Sequence, residues 1–171
     1  MPLFRGPGRP APAEEDHRRL RAALAKLDPW SFWSVPLNDA GADYAVLGVT
    51  GVFAVAIVGL EGYAEPSAKG LRVGEVEVTG FREASRAAQR LHGRLLEASA
   101  FTPVEAVLCL TRASAGSSRT IRGVRVVRLE DLPSEIGARE RSLDPSTAKR
   151  AAESLGQVLQ GPSGAKPEVE D

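Results

Sequence analysis

The sequence predicts an α/β fold, a mixed sheet flanked by helices, and three observations carry that reading. Apolar residues recur at three- and four-residue spacing in two separated stretches, 13–27 and 81–98. Between and after them lie short runs rich in β-branched and aromatic residues, bounded by glycine, proline and aspartate. The resulting order is helix, three consecutive strands, a fourth strand, helix, strand, strand, helix, which is the alternation expected of a layered α/β domain. A chain of 171 residues, 43% hydrophobic and 26% charged, has enough apolar surface for one core. One domain over 13–160 is expected, with a disordered arm at 1–12 and a disordered tail at 161–171.

Each element has its own signal. Residues 1–12 are rich in proline, glycine and arginine and lack periodicity. Arg5, Arg9 and four prolines there interrupt any apolar leader, so a cytoplasmic location is expected. Over 13–27, Leu20, Leu24 and Leu27 share a helical face, and Glu14, Glu15 and Asp16 occupy the first turn, where the helix dipole favours acids. Asp28-Pro29 ends that helix. Strands follow at 32–37, 43–49, 52–59 and 71–78. Residues 44–60 are uncharged and approach the length of a membrane span. Gly48-Val49-Thr50-Gly51 places a turn signal in their middle, so an antiparallel hairpin is expected and no membrane partner. The 81–98 helix, with Phe81, Ala84, Ala88, Leu91, Leu95 and Ala98 as its apolar stripe, should pack across that hairpin. Strands at 104–110 and 124–129 flank a loop at 112–123, and a last helix starts at Pro145 after an Asp144 cap and runs to near Gly161.

Composition excludes several chemistries. Single Cys109 rules out an intrachain disulfide and a thiolate metal cluster, and its apolar neighbours make it a core residue. His17 and His92 lack zincin spacing; the first reads as a surface residue and the second as a packed helix residue. Trp30, Phe32 and Trp33 read as core anchors where the first helix meets the first strand. The loop Ser114-Ala115-Gly116-Ser117-Ser118-Arg119 lacks the lysine spacing of a phosphate loop. Lys+Arg and Asp+Glu are both 22, which is not the balance of a protein that coats nucleic acid. The distribution is uneven: 29–68 holds four acids and no base, whereas 69–128 holds eleven bases and five acids. Arg82, Arg86, Arg90 and Arg94 drift by only about 40° per step on a helix and form a stripe suited to backbone phosphates.

The stretch Ala42-Asp43-Tyr44-Ala45-Val46-Leu47-Gly48-Val49-Thr50-Gly51-Val52-Phe53 resembles the opening of the nuclease-related domain (NERD), whose pattern runs roughly I-D-H-V-V-V-G-P-x-G-V-F-V-I-E-V-K-N. The helix with Gln89, the strand Val107-Leu108-Cys109-Leu110, and Gly123-Val124-Arg125-Val126-Val127 with Leu132 behind it follow that family's order, so the resemblance spans about 14–159. It implies a PD-(D/E)XK, restriction-endonuclease-like fold and, in intact members, Mg²⁺-dependent cleavage of nucleic acid. There an aspartate and a glutamate on adjacent strands hold the cation through oxygen, and a lysine two residues after the glutamate reaches the same phosphate.

By that resemblance the aspartate is Asp43 and the helix glutamine is Gln89, but the glutamate position is Ala56 and the lysine position is Val58. A methyl group cannot ligate magnesium, and an isopropyl group carries neither proton nor charge. Asp43 is expected to bond backbone or solvent, and Ala56 and Val58 to be buried. The expected function is a catalytically inactive binding or scaffolding module without a cofactor. Nucleic acid is its candidate partner through Arg82, Arg86, Arg90 and Arg94, and a protein partner is nearly as well supported. Two alternatives remain: an active Mg²⁺-dependent nuclease with carboxylates rebuilt around Asp43 from Glu61, Glu75 or Glu77, and a protein-interaction subunit.

Overall fold

The computed structural model describes residues 11–98, 102–116 and 118–159. The expected arm, apart from residues 11 and 12, and the expected tail lie outside the described residues. Helix α1 (Glu14–Leu24) leads into β1 (Phe32–Asp39), β2 (Ala42–Gly48) and β3 (Gly51–Val58). Short strands β4 (Gly62–Ser67), β5 (Gly70–Val73) and β6 (Val76–Glu77) precede α2 (Phe81–Glu97). Then come β7 (Val104–Leu110), β8 (Ala113–Ser114), β9 (Arg119–Ile121) and β10 (Val124–Arg128). A 3₁₀ turn (Leu129–Asp131), α3 (Leu132–Gly137) and α4 (Pro145–Leu155) close the described chain.

The main sheet has the order β1-β2-β3-β7-β10-β9. Its first three strands are antiparallel, β3, β7 and β10 are parallel, and β9 is an antiparallel edge. This is a mixed α/β sheet flanked by helices, as the sequence predicts. The hairpin forms where expected, with Gly48 paired to Gly51 and Tyr44 to Val55. All eight residues of β3 are buried, because the strand is central and covered on both sides. One face of β3, with Ala54, Ala56 and Val58, joins a cluster with Ala84, Ala88, Leu91 and Leu95 of α2 and Ala148, Ala151 and Ala152 of α4. The other, with Phe53, Val55 and Ile57, meets Leu20 and Leu24 of α1 and Leu132 and Ile136 of α3. Full burial of each large member contributes roughly 1.5–3 kcal/mol. At Gly41 a Cβ would lie 2.0 Å from the Glu83 carbonyl oxygen, so only glycine lets the β1–β2 turn seat against the first turn of α2.

Four expectations change. The strand at 71–78 is divided into β5 and β6 by Gly74, whose φ of 59° turns the chain into a hairpin. Together with β4 and β8 they form a second sheet, β6-β5-β4-β8, which Pro66 and the pair Glu65–Arg72 disguise in sequence. The expected loop 112–123 contains β8 and β9, and α3 is too short to show periodicity. Helix α4 stops at Leu155, after which the chain returns to the sheet edge, the Leu159 amide donating to the Ser34 carbonyl at 2.7 Å. Asp144 does precede α4, but its carboxylate accepts from the Thr147 hydroxyl at 3.1 Å and from no helix amide. None of the described helices is long and apolar enough to cross a membrane.

The β9–β10 turn holds Arg122 at φ 54° beside Gly123 at φ 81°. Two left-handed residues are what a type I′ hairpin turn requires, and asparagine adopts that conformation more readily than arginine. Arg122→Asn is therefore expected to stabilise the protein by about 0.5–1 kcal/mol, read as a rise in the urea midpoint at unchanged slope.

Candidate functional site

The register that sets Tyr44 against Val55 places Asp43 across from Ala56. The partly buried Asp43 carboxylate accepts a hydrogen bond from the Ile57 amide at 2.8 Å and so ties the start of β2 to the end of β3. Ala56 is 0% exposed and Val58 3%. Both belong to one apolar cluster that also holds Leu71 and Val73 of the second sheet, Phe81, Ala84 and Ala88 of α2 and Ala148 of α4, so neither position is open to water. A hard dication needs several oxygens, and this position offers one carboxylate already bonded to backbone, set among carbon.

Gln89 is exposed on α2 and lines a cleft beside Thr50 to Phe53 at the start of β3, whereas Asp43 lies against the end of that strand. The four residues matched by resemblance are thus divided between the two ends of β3. The carboxylates weighed for a rebuilt site are also dispersed. Glu77 accepts from the Ser67 hydroxyl at 2.7 Å, Glu61 lies 3.7 Å from Arg112, and Glu75 is exposed beside Gly74. Among the described residues no group of three or more His, Cys, Asp or Glu side chains is placed to hold a metal ion.

The arginine stripe is exposed along its length, but half of it is engaged. Arg90 grips Asp39 with two bonds of 2.9 and 2.7 Å, and Arg94 donates to the Leu155 carbonyl at 3.1 Å. Among the described residues no carboxylate lies within ion-pair distance of Arg82 or Arg86. The basic excess of 69–128 is a feature of the sequence more than of the surface. Of its eleven bases, five pair with acids from outside the segment: Arg72 with Glu65, Arg90 with Asp39, Arg112 with Asp16, Arg125 with Glu135 and Arg128 with Asp131.

The cleft itself has a volume of about 1000 Å³ and opens at the starts of the parallel strands β3, β7 and β10, against α2. Helix α2 presents Ser85, Gln89, His92 and Leu96 to it, a row at four-, three- and four-residue spacing beside the buried alanine and leucine stripe. His92 Nδ1 lies 3.0 Å from the Thr102 carbonyl. A carbonyl only accepts, so Nδ1 carries the proton, and in the neutral imidazole Nε2 is an acceptor. Among the described residues the charged lining is Arg139 and Glu105, Arg139 donating to the Glu105 carboxylate through Nη1 at 2.5 Å and Nη2 at 3.1 Å. Arg139 also donates through Nε to the Glu135 carbonyl and lies 5.3 Å above the Phe53 ring, which fixes its plane.

Sequence reasoning missed both this cleft and a second polar centre at the opposite end of the parallel strands. Asp16, 2% exposed, accepts from Thr111 Oγ1 at 2.9 Å, Arg112 Nε at 2.7 Å and the Ala13 amide at 3.1 Å. Burial disfavours its charge, but the bonds from Arg112, Thr111 and Ala13 outweigh that and hold the carboxyl below its ordinary range. His17 is not the simple surface residue expected: its Nδ1 lies 2.9 Å from the Tyr44 hydroxyl, which also accepts from Arg21 at 3.1 Å. Phe32 and Trp33 are core residues, while Trp30 is 37% exposed. Cys109 is fully buried, and burial pushes its thiol far above the ordinary value, which leaves it unreactive.

Fold and site together define a mixed α/β protein with a buried apolar centre at one end of β3 and an open cleft of mixed lining at the other. No family model, no curated protein and no solved structure matches the chain.

Proposed function

We propose that this chain is a non-catalytic binding module, built on a sheet of the nuclease-related kind whose metal and proton-transfer groups have been replaced by apolar side chains. The observation that carries the reading is the burial of Ala56 and Val58 in the apolar core, with the Asp43 carboxylate bonded to the Ile57 amide. The order of the β2–β3 hairpin, α2, the parallel strand β7 and then β10 supports it, because the segments that carry the resemblance fall in that order. The test is incubation of the purified chain with Mg²⁺ or Mn²⁺ and single- and double-stranded DNA and RNA. No cleavage above the level of Asp43→Ala is expected; metal-dependent cleavage that Asp43→Ala removes overturns the reading and restores the rebuilt carboxylate site.

Nucleic acid, as the proposed partner, rests on Arg82 and Arg86 once Arg90 and Arg94 are committed to Asp39 and Leu155. Two phosphate contacts give a salt slope, log K against log salt, of only about −1.8. Polarisation titrations of a labelled oligonucleotide at low salt should show weak, sequence-indifferent binding with a slope no steeper than that, lost in the double variant Arg82→Glu/Arg86→Glu. Absence of binding, or binding untouched by that charge reversal, moves the reading to a protein partner.

A further inference from the structure

We propose that the cleft beside α2 is a small-molecule site for an uncharged ligand of the nucleoside class, with its heteroaromatic edge read by Gln89 and His92 and its apolar ring face set against the starts of β3 and β7. The inference concerns the end of β3 remote from Asp43 and stands whatever the ancestry of the fold.

Charge selects the class first. The two charged groups of the described lining, Arg139 and Glu105, form a bidentate pair and cancel, and Arg139 is further fixed by the Glu135 carbonyl and the Phe53 ring. A ligand carrying its own charge into the cleft gains no counter-ion and loses water, which is unfavourable for an ion and mild for a neutral heterocycle. The volume of about 1000 Å³ reaches the upper end of the range of small-molecule sites.

Hydrogen bonding narrows it further. Ser85, Gln89 and His92 lie on one stripe of α2 that rises about 10 Å over seven residues. That row offers a hydroxyl, a carboxamide with both donor and acceptor, and the imidazole Nε2, an acceptor in the neutral ring whose Nδ1–H is bonded to Thr102. A carboxamide next to an acceptor matches the mixed donor–acceptor edge of a nucleobase, and the length of the row leaves the Ser85 end for a ribose hydroxyl. Val52 and Val104, at the starts of β3 and β7, supply apolar lining that suits a flat aromatic face.

The two histidines make the test direct, because His17 is bonded to Tyr44 and does not line the cleft. The isotope-labelled full chain is titrated with adenosine and with uridine while the ring signals of His92 and His17 and the amides of Ser85, Gln89 and Val104 are followed. Saturable shifts at His92 and along the α2 row are expected, with His17 unmoved, and Gln89→Ala, at an exposed position, should weaken binding about tenfold or more. Adenosine 5′-monophosphate should bind within a few-fold of adenosine. The proposal is overturned by the absence of shifts up to the solubility limit, by shifts that inorganic phosphate or ribose reproduces, by shifts unaffected in both Gln89→Ala and Ser85→Ala, or by a phosphate gain beyond tenfold.

Discussion

Replacing Asp16 with alanine is expected to lower the folding free energy by about 3 kcal/mol, one of the largest effects of any single truncation in this protein. The carboxylate is the common acceptor for the Thr111 hydroxyl, the Arg112 guanidinium and the Ala13 amide, and its loss leaves three donors without it where α1 meets the ends of β3 and β7. The Arg112 side chain is 28% exposed and recovers some water, which keeps the cost at the lower end for a broken buried pair. Gly59 belongs to the same device: a Cβ there would sit 2.5 Å from Asp16 Oδ2. Gly59→Ala should therefore destabilise in the same direction, and the double variant should lose less than the sum of the two single changes. The pH dependence follows from the sign of the shift. Because the fold depresses the Asp16 carboxyl, its contribution is complete above the unfolded value near 4 and is lost as pH falls through the lower folded value. Glu135 adds to the same acid limb: burial opposes its charge, but bonds from Ser118 and Arg125 outweigh that and lower it. Urea midpoints measured between about pH 3 and 7 should show a shallower acid decline in Asp16→Asn than in the parent chain. Parallel declines in the two proteins would show that Asp16 is not held as described.

What the sequence made legible is what local periodicity encodes. The β2–β3 hairpin was visible because glycines at 48 and 51 separate two β-branched runs, and the burial of β3 because it is apolar at every position, which a half-exposed strand is not. The core face of α2 was visible from its spacing. The Asp16 centre was invisible because its partners Thr111 and Arg112 are 95 and 96 residues away, and an acid in a first helical turn has a sufficient local explanation in the dipole. The same limit distorted the charge reading. Counting bases over 69–128 cannot see that Arg90 closes on Asp39 or that Arg125 closes on Glu135, pairings that exist only once the sheet has brought distant segments together. The cleft lies between these cases. Its polar row of Ser85, Gln89 and His92 is written at helical spacing, but the concavity needs the starts of β3, β7 and β10 to be placed side by side.

Placing a glutamate at position 56, where the resemblance to the nuclease-related domain puts one, is expected to destabilise this protein and to give no cleavage. Ala56→Glu places a carboxylate at a position with no exposure, opposite Asp43 and within the cluster of Val58, Leu71 and Val73. The new group either stays ionised beside another acid or takes up a proton among apolar side chains. Overpacking adds to either cost, for a total of about 3–5 kcal/mol. Adding Val58→Lys gives the glutamate a cation on the same strand face, so part of the loss should return. The pair nevertheless remains in the apolar core, where neither a hydrated magnesium ion nor a phosphate backbone has access. Urea denaturation of the single and double variants, together with a Mg²⁺ cleavage assay, separates sealing from simple loss of ligands. If only the ligands were missing, the double variant would keep the parent midpoint and cut nucleic acid. If the centre is closed as the burial of Ala56 and Val58 implies, both variants lose stability and neither cuts.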